Sequence, residues 1–265
     1  MKDKVIIITG ASSGIGKAIA FPLAKNENKL LLAARNLQKL NTITKEIKAK
    51  KIAVLSVVTD VAIEEDCKNL IDKCIAEYGR IDILINNAGI SMRALFNETN
   101  LKVIERVINT NFWGTVFCTK YALPYLLQTK GSLVGASSIA GYIGLPERSA
   151  YSASKFAMHG FLESVRSENM ENDLHVLIAC PGFTASNIRK SALTKDGSTQ
   201  NESPRNEQKM MSAEQVAGHI VRAIKCRKDD VTLSVNGILA VWLNRFFPKI
   251  ARRLVFNHFK KEKRL

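Results

Sequence analysis

The stretch Val5-Ile6-Ile7-Ile8-Thr9-Gly10-Ala11-Ser12-Ser13-Gly14-Ile15-Gly16-Lys17 decides the fold of this 265-residue chain. Four consecutive β-branched residues predict a short strand with no solvent-facing side. Three glycines and two serines then turn the chain, and Lys17 to Ala24 continues at helical spacing. Strand, glycine turn and helix in that order make the first half of a βαβ unit. Glycines allow a tight turn and a close approach of ligand to backbone, while the unpaired N–H groups of a helix start carry positive potential. The turn therefore predicts a pyrophosphate cradle formed by Gly10, Ser12, Ser13, Gly14, Ile15 and Gly16. Its spacing is GxxxGxG rather than the GxGxxG of the dinucleotide fingerprint, and a glycine turn with a structural role alone is the alternative.

Outward from this stretch, six more β-branched runs alternate with helix-length segments: Lys29-Ala33, Ala53-Val58, Ile81-Ile85, Ser132-Ala136, His175-Ala179 and Val231-Val235. Right-handed crossovers turn that order into a doubly wound parallel sheet with helices on both faces, an α/β fold in a single domain over residues 1–236. Ligands of such sheets bind beyond the carboxyl ends of the strands. Pro22 falls inside the first helix, where a kink is expected. Residues 187–211 turn polar and exceed an ordinary connector, which predicts a mobile flap over the substrate.

Composition is that of a globular chain, 46% hydrophobic and 24% charged, so intrinsic disorder is excluded. Cys67, Cys74, Cys118, Cys180 and Cys226 form an odd set without CxxC spacing, so reduced buried thiols are expected and neither disulfides nor zinc. The four histidines form no ligand cluster, and no metal is expected. The chain opens without a secretory signal pattern and contains no apolar run near the ~20 residues of a membrane span, so a cytoplasmic protein is expected. A net charge of +15 suits nucleic acid, anionic lipid or a phosphorylated cofactor. No helix-turn-helix or aromatic RNA-binding motif accompanies the charge, so no nucleic-acid partner is expected.

The residue type after the second strand bears on the cofactor. An NAD-selective site would place a carboxylate there for the ribose hydroxyls, yet the chain reads Ala34-Arg35-Asn36. Arg35 can pair with a 2′-phosphate, which favours NADP(H) over NAD(H), although a solvated surface arginine is the alternative. Asp60 and Val61 follow the third strand, positioned for the adenine edge; an ordinary cap is the other reading of Asp60. Tyr151 and Lys155 stand at i,i+4 spacing on one face of a predicted helix. Ser138 lies 13 positions before Tyr151 and Asn111 on an earlier helix-length segment.

Taken together, TGASSGIG at 9–16, NNAG at 86–89, Asn111, Ser137-Ser138, YSASK at 151–155 and Pro181-Gly182 resemble the short-chain dehydrogenases/reductases, over about residues 4 to 235. The resemblance implies a Rossmann-type fold and hydride transfer between a nicotinamide and a carbonyl or alcohol. Tyr151 would be the general acid, Lys155 would lower its pKa and hold the nicotinamide ribose, and Ser138 would donate to the substrate oxygen, with Ser137 as its rival. Asn111 would hold a relay water. Asn87, Ala88 and Gly89 would line the adenosine side, and Pro181 and Gly182 would lie under the nicotinamide. Family members carry a threonine five residues after that proline; here the position is Ser186, with Thr184 two residues earlier, so either hydroxyl is left to meet the carboxamide.

Residues 237–265 form a basic amphipathic C-terminal extension, with eight basic residues and one acidic between 245 and 265. Such a tail fits an anionic bilayer interface, or a sister subunit in a homodimer or homotetramer. Met92, Leu95, Tyr142, Ile143 and Leu145 predict an apolar substrate pocket. A regulator that binds NADP(H) without turnover is the alternative function, and a complete Asn111, Ser138, Tyr151 and Lys155 set weighs against it.

Overall fold

The computed structural model describes residues 1–185, 187–202 and 210–263. Its strands are β1 (Val5–Thr9), β2 (Lys29–Ala34), β3 (Val54–Val58), β4 (Ile83–Asn86), β5 (Ser132–Ala136), β6 (His175–Cys180), β7 (Thr184–Ala185), β8 (Met211–Ser212) and β9 (Asp230–Thr232). Seven of them form one sheet in the order β3-β2-β1-β4-β5-β6-β9, parallel throughout, and β7 pairs with β8 beside it. The helices are α1 (Gly14–Leu23), α2 (Leu37–Lys48), α3 (Glu64–Tyr78), α4 (Leu101–Ile108), α5 (Gly114–Gln128), α6 (Ser149–Glu168), α7 (Ala213–Lys225), α8 (Val235–Phe246) and α9 (Pro248–Lys263). This is a single-domain Rossmann-type sheet.

Side chains alternate across each strand, which is how one run of apolar residues feeds two cores. Ile6, Ile8, Leu30 and Leu32 pack with Ile19 and Leu23 of α1, Leu40 and Ile43 of α2 and Ile220 of α7. Val5, Ile7, Leu31 and Leu84 pack on the opposite face with Leu70 of α3, Leu126 of α5 and Leu162 of α6. The chain winds outward from β1 to β3, then returns to β1's other side as β4. The crevice at that reversal lies past Thr9 and Asn86, directly over the glycine turn.

Pro22 sits in the last turn of α1, which ends at Leu23. The bounds of one expected strand are corrected. The last strand covers Asp230–Thr232, not Val231–Val235, because Ser234 turns the chain at φ +70 and its hydroxyl accepts from Gly237 N–H, so Val235 starts α8. The described part of 187–211 is anchored to the body of the protein. Leu193 is buried and bridges Met92, and β8 closes the segment against β7.

Beyond β9, α8 and α9 fold against each other and against the loop after β5. The Asn244 amide donates to the Tyr142 carbonyl at 2.9 Å. Gly237 comes so close to Ile139 that an added Cβ would stand 2.6 Å from its Cδ1. Among the described residues no helix is long and apolar enough to cross a membrane.

Candidate active site

Gly10 and Gly14 adopt left-handed φ values of +64 and +53, which explains glycine at both positions. Gly16 serves a different purpose. A Cβ there would run into the Asn87 amide nitrogen and the Gly10 carbonyl, so its absence lets α1 press onto β4. The Asn87 side chain donates to the carbonyls of Thr9 at 3.0 Å and Gly10 at 3.3 Å, and the Thr9 hydroxyl accepts from Asn87 and Ala88 N–H at 3.0 Å each. The glycine turn is thus stitched to the end of β4. Ser13 precedes α1 without using its side chain as a cap, and no acidic residue occupies the first helical turn.

A cleft of about 400 Å³ follows this turn. It is lined by Gly10, Ser12, Ser13, Gly14 and Ile15, by Arg35, Asp60 and Val61, and by Asn87, Ala88 and Gly89. Arg35 reaches within 3.9 Å of Asp60, and Lys39 joins the same end. The other oxygen of Asp60 accepts from Ala62 N–H, closing a turn ahead of α3, whose N-cap is Ile63. Gly16 lies behind the cradle rather than in its wall.

The cleft narrows toward β5 and α6, where Tyr151, Lys155, Ser138, Pro181, Gly182 and Thr184 come together. Tyr151 and Lys155 lie one turn apart on α6, as their spacing predicts. Tyr151 and Ser138 both line this narrow cleft, with Ser138 near enough to favour the phenolate. Ser137 points the other way, its Oγ 2.6 Å from His159 Nε2, so of the two serines Ser138 is the one at the phenol. Burial pushes the Tyr151 phenol above its usual range, and Ser138 and Arg148 oppose that shift. Lys155 is almost fully buried and donates to the Ala136 carbonyl at 2.8 Å; burial brings its ammonium down to about 8. Two cations stand near Tyr151: the Lys155 ammonium is 5.8 Å from the ring centroid, and the Arg148 guanidinium favours the phenolate as well.

Asn111 sits in a π turn, Asn109–Trp113, between α4 and α5. Such turns occur disproportionately at functional sites. Its amide brackets the strand-like loop after β4, accepting from Ile90 N–H at 2.8 Å and donating to the Ile90 carbonyl and to Ser154 Oγ, both at 2.9 Å. Thr115 donates to its main-chain carbonyl. The side chain therefore fixes Gly89-Ile90 against the helix that bears Lys155. Ser186 lies outside the described residues, and the Thr184 hydroxyl donates back to the Gly182 carbonyl at 3.1 Å.

Behind Ser138 is a cluster that spacing does not announce. His159, one turn beyond Lys155, meets Ser137 and lies 3.5 Å from Cys180 Sγ and edge-on to Tyr142. In front of Ser138, a cavity of about 980 Å³ opens between the core and the C-terminal helices. Ile143 and Leu145, two of the five residues expected in an apolar pocket, form its inner wall with Ile139, while Ala240 of α8 and Leu254, Val255 and Phe259 of α9 close the outer one, and Leu95 and Tyr142 are not in its lining. Met92 instead packs in a separate small core with Val103 and Val107. The tail, expected at a bilayer interface or a sister subunit, thus also walls this cavity.

Comparison with known proteins agrees with this geometry. The short chain dehydrogenase family profile matches residues 4–197. The bovine Dehydrogenase/reductase SDR family member 7B is 34% identical over 272 aligned positions, covering all of this chain and 84% of that protein. A short chain dehydrogenase/reductase from Burkholderia phymatum, solved with NAD, superposes with a TM-score of 0.83 at 23% identity over 94% of this chain and 95% of that one. An alcohol dehydrogenase from Thermococcus sibiricus, complexed with 5-hydroxy-NADP, gives 0.78 at 23% identity over 87% and 95%. Matched along most of its length and carrying tyrosine, lysine and serine together beside a glycine turn, the chain belongs to the short-chain dehydrogenase family of oxidoreductases.

Proposed function

We propose that the protein is an NADP(H)-dependent oxidoreductase that interconverts a carbonyl and a secondary alcohol on a hydrophobic substrate. The observation that carries this reading is that Tyr151, Lys155 and Ser138 line one narrow cleft, with Ser138 also in the wall of the apolar cavity. The glycine cradle fits a pyrophosphate, since Gly10 and Gly14 hold the left-handed turn and no acidic side chain occupies the first turn of α1. Gly10 to Gly14, Asn87 to Gly89 and Val61 would hold the adenosine half, and Arg35 with Lys39 would hold a 2′-phosphate. Pro181, Gly182 and Thr184 would bound the nicotinamide half.

The bound nicotinamide supplies or accepts the hydride. The protein moves the proton and stabilises the oxygen. Ser138 donates to the substrate oxygen as negative charge develops there, and Tyr151 protonates it, or removes the proton in the reverse direction. Lys155 faces the same cleft, where it would hold the cofactor ribose, and its ammonium, 5.8 Å from the Tyr151 ring centroid, favours the phenolate. Asn111 keeps the Gly89-Ile90 wall in place and provides the route for a water toward Lys155. In this division residues 1–236 bind and react, and residues 237–265 cover the substrate cavity.

The exposed side of that extension carries Trp242, Phe246, Phe247 and Ile250 together with Arg245, Lys249, Arg252 and Arg253. It suits a homodimer or homotetramer interface in a cytoplasmic enzyme. Light scattering of the full chain beside a 1–236 truncation tests this. Flotation of a monomer with anionic but not neutral vesicles would instead assign the face to peripheral membrane contact.

The central test is turnover of NADPH on a panel of apolar ketones, with Tyr151→Phe as the paired variant. Loss of kcat by about 10²- to 10⁴-fold with cofactor affinity retained is expected. Equal turnover by the variant, or failure of the wild type to bind any pyridine nucleotide, overturns the assignment.

A further inference from the structure

Arg148 lines both the narrow cleft that holds Tyr151 and the large apolar cavity in front of it. It is placed there by the start of α6, three residues before the tyrosine. A guanidinium has five N–H donors. The contact made by Arg148 is a 3.3 Å bond from Nη1 to Ser91 Oγ, itself a residue of the narrow cleft. The neighbouring carboxylate, Glu147, is engaged by Arg93 Nε at 2.8 Å. No carboxylate among the described residues stands within ion-pair distance of Arg148, and no acidic residue among them lines either cavity.

This is an expensive place for a cation. Burial pulls the Arg148 guanidinium below the usual arginine range, Arg93 and Arg189 add like charge, and Tyr151 and Glu147 oppose the shift. A guanidinium only partly open to solvent, with one long hydrogen bond, is stabilised by an anion that reaches it in a bidentate geometry. Water in the cleft is a weaker partner, and lysine at this position would offer a point charge in place of a planar fork. The cavity supplies the other half of the recognition. Its walls are mostly apolar, with Asn257, His258 and Lys260 among the α9 residues, and they meet Arg148 at the end nearest Ser138.

We propose that Arg148 is a specificity-determining residue that binds a carboxylate or phosphate of the substrate close to its reacting carbonyl, so that the substrate class is an anionic ketone or alcohol bearing an apolar chain. The proposal rests on the oxidoreductase reading given above and narrows its substrate. The anion lies against Arg148 and Ser91, the carbonyl oxygen between Ser138 and Tyr151, and the chain along Ile143 and Leu254. Both anions share the chemistry that the fork recognises, and separate substrates distinguish them.

The experiment compares kcat/KM with NADPH for three ketones of one chain length, carrying a carboxylate, a phosphate monoester or an uncharged methyl ester near the carbonyl, in wild type, Arg148→Gln and Arg148→Lys. The ratio of anionic to neutral kcat/KM is read, because Arg148 also acts on the Tyr151 phenol and that effect cancels within one variant. A fall in the ratio on the order of 10²-fold in Arg148→Gln, mainly through KM and partly restored by lysine, is expected for at least one anion. A ratio that is the same in wild type and Arg148→Gln for both anions overturns the proposal. Binding of the matching saturated carboxylate, phosphate and alcohol to the NADP-loaded protein, followed by calorimetry, reads the contact without turnover. Tighter binding of an anion than of the alcohol, lost in Arg148→Gln, supports the anion site even if no ketone is reduced, and in that case it is the hydride-transfer reading that falls. No preference for either anion over the alcohol overturns the anion site itself.

Discussion

His159 Nε2 lies 2.6 Å from the Ser137 hydroxyl, and through that contact α6 is held to the carboxyl end of β5 immediately behind Ser138. The ring also lies beside Cys180, the last residue of β6, so one imidazole joins three of the segments that shape the site. Burial, with the Lys155 charge beside it, brings the His159 pKa from 6.5 down to about 4.

The histidine therefore couples site integrity to acid. Between pH 6.5 and about 4 the unfolded chain takes up a proton that folded His159 refuses, so stability falls as pH drops through that window. A shift of this size corresponds to about 3 kcal/mol once both states have titrated. His175 is lowered as well and adds in the same direction. Urea unfolding at pH 7 and pH 4.5 should show a larger loss for wild type than for His159→Gln, after each is referred to its own value at pH 7. Equal losses would mean that the ring is protonated in the fold.

Arg35 is more than half exposed, and its distance to Asp60 is 3.9 Å, so water competes for any anion it binds. Arg35→Ala is expected to lower kcat/KM for NADPH by about tenfold and to leave that for NADH nearly unchanged. The measurement is the ratio of the two cofactors at fixed substrate. A ratio unmoved by the substitution would assign the preference elsewhere, with Lys39 next in line.

Glycines of the same chain give opposite outcomes, and the geometry says which. Gly16→Ala places a methyl group against the Asn87 amide and the Gly10 carbonyl, both of which are fixed by hydrogen bonds to each other. A cost of about 1–3 kcal/mol is expected, together with weaker cofactor binding. Gly218 lies in α7 with nothing within 4 Å of its added Cβ, so Gly218→Ala should stabilise the protein by about 0.5–1 kcal/mol. Thermal melts of both variants check the pair.

What could be read from the residues, and what could not, follows from range. β1, its turn and α1 are contiguous, and their period and glycine pattern were enough to place the cradle. Tyr151 and Lys155 are one helical turn apart, so their shared face needed no tertiary information. Ser137 and His159 are 22 positions apart and Cys180 is a further 21 along, and no periodicity links them. Arg148 carries no motif at all; its meaning comes from a cavity whose outer wall is supplied by α9, more than 100 residues later. The strand expected at Val231-Val235 failed for a local reason, since the apolar pattern continues past Ser234 while the positive φ and hydroxyl of that serine start a helix. The mix of apolar and basic residues in the tail is visible in the sequence, but the contact of α9 with the large cavity is not.

Lys155 makes the last prediction, and its sign is opposite to the usual alkaline loss. Because burial brings the folded ammonium to about 8, the folded protein without cofactor gives up this proton between about pH 8 and 10.5 while the unfolded chain still holds it. In that window the group contributes stability that grows with pH. Cys74 and Cys180, pushed up to about 12 by burial, act the other way, since their unfolded thiols ionise first. The two effects separate only by difference. Subtracting the unfolding free energy of Lys155→Met from that of wild type, at pH 7.5, 9 and 10, should leave a term that rises with pH. NADP(H) should flatten it, because a cofactor ribose hydrogen-bonded to the ammonium holds the proton on. A difference independent of pH would show that Lys155 stays charged in the empty site, and the ribose contact would then have to be sought from another donor.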